Sequence, residues 1–132
     1  MKRLFSSFVS VAWLLAALPA ESHHSFAAEF DINKPVKLTG AVTKLEWTNP
    51  HAWIFIDAKD DKGQVQNWAI ELVGINDLLR RGWGRDRVKN GDVVHVDGFG
   101  AKNGTNTANA ASVTLESTGE LLWASVPREG QK

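Results

Sequence analysis

The sequence predicts a small, mainly β-structured barrel that contains one short helix. Five segments between residues 36 and 115 alternate apolar and polar side chains, which is the period of strands with one face in a core. Inside the first segment the apolar phase slips by one residue, which indicates a β-bulge. A stretch of helical spacing separates the third segment from the fourth. Three strands, a helix and two strands is the order of the Greek-key barrel known as the OB-fold.

The first predicted strand covers residues 36–47 and ends at the Asn49-Pro50 pair. Proline lacks the amide hydrogen that a ladder needs, and it keeps the residue before it out of the helical region. A second strand follows at once, over residues 52–59. One row of its side chains is apolar and faces the core: Ala52, Ile54, Ile56 and Ala58. The opposite row presents the aromatic residues: Trp53, Phe55 and, beside them, Asp57.

The third strand is predicted over residues 64–72. Its inward side chains are Trp68, Ile70 and Leu72, and its outward ones are Val65, Asn67, Ala69 and Glu71. Ile75, Leu78 and Leu79 then fall at helical spacing, and Gly82 stands where a helix ends. These residues predict a short helix between the third and fourth strands.

Two further strands are predicted over residues 93–99 and 109–115, and a short sixth strand over residues 121–123. The barrel therefore has five or six strands and extends over residues 36–124.

An N-terminal arm is predicted over residues 23–35, and it turns at residues 31–35 into the first strand. The arm is expected to lie across the barrel through its apolar side chains Phe26, Phe30 and Ile32. A flexible tail is predicted over residues 125–132.

Residues 1–22 have the layout of a secretory signal peptide. Lys2-Arg3 is followed by an uncharged apolar stretch, residues 4–18, and then by small residues. The apolar stretch is shorter than the roughly 20 residues that a membrane-spanning helix needs. We expect cleavage after Ala20 or after Ser22, and a mature protein that is periplasmic or secreted and is not an integral membrane protein.

The composition excludes several kinds of chemistry. Lys plus Arg and Asp plus Glu number 15 each, so the net charge gives no reason to expect nucleic acid as a partner. The absence of cysteine excludes disulfides, thiolate metal sites and cysteine nucleophiles. The sequence also lacks a Gly-x-Ser-x-Gly elbow, a His-Glu-x-x-His motif and a phosphate loop. We therefore expect a non-enzymatic binding or accessory module.

The alternative function is the binding of Cu(II) or Zn(II) by His23 and His24. Cleavage after Ala20 makes His23 the third residue, and cleavage after Ser22 makes it the first. Both arrangements offer nitrogen ligands that suit Cu(II). His51 is the candidate for a further ligand, and the competing interpretation is a histidine that fixes its loop by a hydrogen bond to the backbone. His23 and His24 have a simpler interpretation too, as solvated residues of a frayed terminus.

A ligand or partner face is predicted around the second strand. The second and third strands of OB-folds bind oligonucleotides and oligosaccharides. The residues of the predicted face are Trp47, Asn49, Trp53 and Phe55. Asp57 and Glu71 lie among the outward positions and oppose phosphate, so we expect an unknown protein or envelope ligand and no nucleic acid. The alternative is that the N-terminal arm covers these aromatics.

Arg80, Arg81 and Arg85 belong to the densest basic stretch of the chain, residues 80–89. They are candidate contacts for an anionic ligand. The competing interpretation is a solvated helix end, where basic residues complement the helix dipole.

Several motifs together resemble a family of exported bacterial proteins, the domain of unknown function 6152 family. The motifs are His23-His24-Ser25-Phe26, Trp47-Thr48-Asn49-Pro50-His51-Ala52-Trp53, Leu79-Arg80-Arg81-Gly82-Trp83 and Gly91-Asp92-Val93-Val94. The resemblance covers nearly all of the mature chain. It implies an exported, single-domain protein with no assigned activity, and it supplies no catalytic residues.

Overall fold

The alternating segments of the sequence form six strands around one apolar core. The structure, a computed structural model, describes residues 26–125. The predictions for the signal peptide, for His23 and His24 and for most of the tail lie outside these residues. No helix in this part of the chain is long and apolar enough to cross a membrane. In chain order the elements are α1 (Phe26–Glu29), β1 (Phe30–Glu46), β2 (Trp53–Lys59), β3 (Val65–Glu71), α2 (Ile75–Arg80), β4 (Val93–Ala101), β5 (Thr107–Leu115) and β6 (Glu120–Ala124).

The strands form a closed barrel with the connectivity of an OB-fold. They lie in the order β3-β2-β1-β4-β5-β6, and neighbours in this order are antiparallel. A short parallel pairing of β3 with β5 closes the barrel, and β6 extends the sheet beyond β5. Helix α2 lies between β3 and β4 in the chain. The predicted fold class is therefore confirmed.

β1 is long because it pairs with two strands, and it bends between them. Its first part pairs with β4 and its last part with β2, and the pairing with β2 shifts register between Val42 and Lys44. This shift is the predicted bulge. At Gly40 a Cβ would lie 2.3 Å from the carbonyl oxygen of Asp57, so only glycine allows β1 to approach β2 this closely.

β1 begins at Phe30 and not at the predicted Val36. Phe30 pairs with Ala101 on β4 and is buried against Phe26, with 5.6 Å between the ring centroids. The pairing with β4 shifts register between Phe30 and Pro35, so the predicted turn at residues 31–35 corresponds to an irregularity inside β1 and not to a break before the strand. Ile32 is 62% exposed and does not pack as predicted.

The core contains the predicted inward rows of β2 and β3. Six apolar side chains are at most 2% exposed, and they are Ala52, Ile54, Ile56, Ala58, Ile70 and Leu72. Trp68 is half-buried and packs against them. Glu71 belongs to the opposite row, as predicted, yet it is only 7% exposed. Glu71 is buried because it pairs with Trp53 on β2 and with Asn109 on β5.

Helix α2 ends in a Schellman motif at the predicted glycine. Gly82 has a φ of 84°, and its amide donates to the carbonyl oxygen of Leu79 at 3.0 Å. The amide of Trp83 donates to the carbonyl oxygen of Leu78 at 2.9 Å. Leu78 and Trp83 are both buried and fix the helix to the barrel, whereas Leu79 is exposed. A helix of six residues offers one narrow apolar stripe, which explains why only part of the predicted apolar set is buried.

Candidate functional site

Four side chains form a row across the outer face of the barrel. Trp53 on β2 pairs with Glu71 on β3, Glu71 pairs with Asn109 on β5, and Asn109 pairs with Phe99 on β4. Directly paired residues point to the same side of a sheet, so the four side chains are neighbours. The parallel β3–β5 pairing thus places a carboxylate and an amide between two aromatic rings.

Glu71 interacts with polar groups on both sides. The side-chain amide of Asn109 donates to Glu71 Oε1 at 3.2 Å. On the other side, His51 Nδ1 lies 3.7 Å from Glu71 Oε1. The bond from Asn109 satisfies part of the hydrogen-bonding capacity of a largely buried carboxylate, which would otherwise be costly to bury.

His51 presents one ring nitrogen outward. Its Nδ1 lies 2.8 Å from the carbonyl oxygen of Leu72. A carbonyl oxygen only accepts hydrogen bonds, so Nδ1 carries the hydrogen and donates it. In the neutral ring Nε2 then keeps its lone pair, and the side chain is 45% exposed. The hydrogen bond to the backbone suggested by the competing interpretation is present, and it orients His51 in the way that metal-binding histidines are usually oriented.

The three-histidine metal site stays a prediction, because His23 and His24 lie outside the described residues. Among residues 26–125, no group of three or more His, Asp or Glu side chains is arranged to hold a metal ion. From this part of the chain, His51 is the predicted ligand, and Glu71 lies beside its Nδ1.

An open cleft of about 290 Å³ lies beside Trp53. Its walls come from α1 and the start of β1, from the start of β2, and from the loop that joins β4 to β5. Alanine and threonine side chains of β4 and β5 also line it. The lining residues are Ala28, Glu29, Phe30, Trp53, Ala101, Lys102, Asn103, Thr105 and Thr107.

The β4–β5 loop is held against α1 and has a fixed internal structure. The amide of Lys102 donates to the carbonyl oxygen of Glu29 at 2.9 Å. Asn103 Oδ1 accepts two hydrogen bonds from Thr105, from the backbone amide at 3.1 Å and from the hydroxyl at 2.7 Å. These bonds fix the orientation of the Asn103 side chain, and within residues 26–125 its amide nitrogen makes no hydrogen bond.

The predicted ligand face divides into two parts. Trp53 and Phe55 share the outer face of β2, and Lys44 Nζ lies 5.3 Å from the centroid of the Phe55 ring. Trp47 instead packs against the core. Asn49 precedes a cis peptide bond to Pro50, and its side-chain oxygen accepts a hydrogen bond from the amide of Ile75 at 3.2 Å. Asn49 therefore joins the β1–β2 loop to the first turn of α2.

Two of the three predicted anion contacts have intramolecular partners. Arg80 forms an ion pair with Asp77 within α2. Arg81 donates to the carbonyl oxygen of Ala124 at 2.6 Å, and its guanidinium carbon lies 6.0 Å from the Trp123 ring centroid. Arg81 thus fastens β6 to the end of α2. Arg85 is exposed in the following turn.

Sequence reasoning identified Trp53 and His51 but missed the groups around them. Asn109 and Thr107 are brought next to β3 by a pairing between residues far apart in the chain, which local periodicity does not reveal. Asn103 and Thr105 occupy a loop that the sequence marks only as a turn. The available clue was Asn109, a polar residue between Ala108 and Ala110 on β5.

Comparison with known proteins places the chain in a family. A model described as "Family of unknown function (DUF6152)" matches residues 12–110. No curated protein matches the chain. Among solved structures, the mitochondrial single-stranded DNA binding protein Rim1 of S. cerevisiae is similar, with a TM-score of 0.49 and 13% identity, over 63% of this chain and 93% of that chain.

Proposed function

Because the chain belongs to the DUF6152 family, whose function is unknown, we propose from the site itself that it is an exported, non-enzymatic module that binds its ligand beside Trp53. The observation that carries this proposal is the open cleft of about 290 Å³ with Trp53 in its wall. Concave sites that combine an aromatic side chain with a few polar groups are the usual form of ligand sites.

The position of the cleft supports a binding role. It lies between the start of β2 and the β4–β5 loop, two regions that OB-folds use for ligands. The polar groups in its wall include the amide of Asn103 and the hydroxyls of Thr105 and Thr107. Amides and hydroxyls suit recognition, since neither titrates near neutral pH in the way that acid–base catalysis requires.

Export is the second part of the proposal, and it is supported by the charge and apolar pattern of residues 1–22. Intact mass measurement of protein recovered from the periplasm or the medium tests it. We expect a mature chain that begins at Glu21 or His23. Recovery of a chain that still begins at Met1 would contradict export by cleavage.

Nuclear magnetic resonance tests the binding site. Isotope-labelled mature protein is titrated with soluble envelope compounds: neutral oligosaccharides, peptidoglycan-type peptides and lipid head groups. We expect one class to shift the amide signals of residues 28–30 and 101–107. Trp53→Ala should abolish the response and keep the fold, whereas Leu121→Ala, an exposed apolar change on β6, should not affect it.

Two results would contradict the binding module. One is a response confined to residues away from the cleft. The other is chemical conversion of the bound compound, detected by mass spectrometry, that a single substitution in the domain abolishes.

A second candidate function, Cu(II) or Zn(II) binding, is favoured by the orientation of His51. Its Nδ1 hydrogen bond to Leu72 leaves Nε2 as a free donor for a metal, and Glu71 lies beside the same Nδ1. His23 and His24 of the mature terminus would supply the remaining ligands.

Calorimetric titration of the mature protein with Cu(II) and with Zn(II) tests this candidate. We expect weaker binding in His23→Ala, His24→Ala and His51→Ala. His95→Ala is the matched control, because His95 lies on β4 and contacts Thr39 and Glu116 instead. Equal affinity in all four variants would remove the metal hypothesis.

A further inference from the structure

We infer that the cleft beside Trp53 recognises a neutral sugar ring of an oligosaccharide. This inference rests on the proposed binding function and adds the chemical class of the ligand. It is carried by three properties of the cleft: its aromatic wall, its pattern of hydrogen-bonding groups and its balance of charge.

The shape and size of the cleft suit one ring of a longer chain. Its volume of about 290 Å³ is just below the usual range of ligand sites, about 300–1,000 Å³, as expected for a site that holds one ring and not a whole ligand. Trp53 is half-buried and lines the cleft. Ala101 and Thr107 contribute small side chains beside it. The face of a pyranose ring that presents C–H groups is apolar and fits against such a wall, and the open cleft allows the rest of an oligosaccharide to continue outside.

The polar groups supply a donor and an acceptor in fixed positions. Asn103 Oδ1 is occupied by its two bonds from Thr105, which leaves the Asn103 amide hydrogens as donors to a ligand. The hydroxyl of Thr105 has one hydrogen, which it gives to Asn103 at 2.7 Å. Thr107, with its oxygen 3.1 Å from that of Thr105, then donates to Thr105 and keeps its lone pairs for a ligand. Adjacent sugar hydroxyls, which both donate and accept, match such a pair.

The charges around the cleft disfavour a phosphate backbone. The wall contains one acidic side chain, Glu29, and one basic side chain, Lys102. On the same outer face, the negative charges of Asp57 and Glu71 are balanced by the positive charges of Lys44, which pairs with Phe55, and Lys59. Proteins that bind single-stranded nucleic acid line their grooves with several positive groups. The described surface therefore favours a ligand without net charge.

The test compares oligosaccharides with charged probes on the mature protein. The probes are chito-, cello- and malto-oligosaccharides, a single-stranded thymidine oligonucleotide and short peptides. Calorimetry or nuclear magnetic resonance measures affinity at two salt concentrations. We expect saturable binding of an oligosaccharide with little dependence on salt, and at least about tenfold weaker binding in Trp53→Ala.

Two pairs of variants test the hydrogen-bonding groups. Asn103→Asp keeps the oxygen that accepts from Thr105 and removes the amide donors, and Asn106→Asp makes the same change outside the cleft. Thr107→Val removes the hydroxyl at nearly constant shape, and Thr114→Val does so at the other end of β5. We expect about fivefold weaker oligosaccharide binding in the cleft variants and unchanged binding in the controls.

The outcomes separate the ligand class from the binding function. Trp53-dependent binding of the oligonucleotide or of a peptide, with no oligosaccharide bound, overturns the sugar inference and leaves the binding module intact. No Trp53-dependent binding of any probe overturns the sugar inference and counts against the cleft as a binding site. Equal weakening by Asn103→Asp and Asn106→Asp also overturns it, because a general charge effect would then explain the loss.

Discussion

Gly98→Ala should destabilise the protein strongly, because β4 and β5 meet at Gly98 without room for a side chain. A Cβ at this position would lie 2.2 Å from the carbonyl oxygen of Asn109. An ordinary contact needs 3.4 Å or more, so the two strands would have to separate by more than an ångström beside a register shift that already interrupts their ladder. Neither Gly98 nor its neighbour on β5 has a flexible side chain that could move instead.

Forcing extra atoms into a packed region costs about 1–3 kcal/mol, and a clash with backbone belongs at the upper end. For a domain of this size, about 3 kcal/mol lowers the melting temperature by about 12–24 °C. Thermal unfolding followed by circular dichroism measures the change. Gly84→Ala is the matched control, since a Cβ there meets nothing within 4 Å and Gly84 does not have a positive φ.

We expect Gly84→Ala to be neutral or stabilising by up to about 1 kcal/mol. A Gly98→Ala protein that melts within about 2 °C of the parent, well below the shift expected from that clash, would refute the β4–β5 register. It would also refute the placement of Asn109 beside Phe99, because the β4–β5 register sets that pairing.

Three further predictions concern the core, the end of α2 and β6. Ile54→Ala should lower the free energy of unfolding by about 2–5 kcal/mol in chemical denaturation, because Ile54 is fully buried. Ile32→Ala, on the exposed start of β1, should change it by no more than about 0.5 kcal/mol. Similar values for the two variants would contradict the assigned faces. Gly82→Ala should cost about 1–2 kcal/mol because of the positive φ, and an unchanged denaturation midpoint would argue against the Schellman motif. Arg81→Met should speed amide hydrogen exchange in β6, since the bond to Ala124 is lost; unchanged exchange would show that Arg81 does not fasten the strand.

The sequence was sufficient to predict the strand order, the bulge and the inward rows. Each of these depends on local periodicity: Ile54 and Ile56 alternate with Trp53 and Phe55, and the slip after Val42 is visible in the order of apolar residues. The end of α2 was predictable for the same reason, because Gly82 and Trp83 complete a local motif.

The sequence was insufficient where distant segments meet. β1 starts at Phe30 because Phe30 packs against Phe26 and pairs with β4, which no turn preference at residues 31–35 reveals. Glu71 is buried because the parallel β3–β5 pairing places Asn109 beside it. For the candidate site, Trp53 was predicted from its aromatic row, whereas the contributions of α1 and the β4–β5 loop depend on tertiary structure.

The three residue pairs that join β3 to β5 also complete the wall of the cleft that we propose as the binding site. Glu71 and Asn109 are 38 positions apart, so their contact closes a long loop of chain and costs more conformational entropy than a hairpin contact. Thr107 reaches the wall of the cleft through the same junction, opposite Ala69. A folding intermediate in which β3 and β5 have not yet paired would therefore have most of its strands and an incomplete cleft.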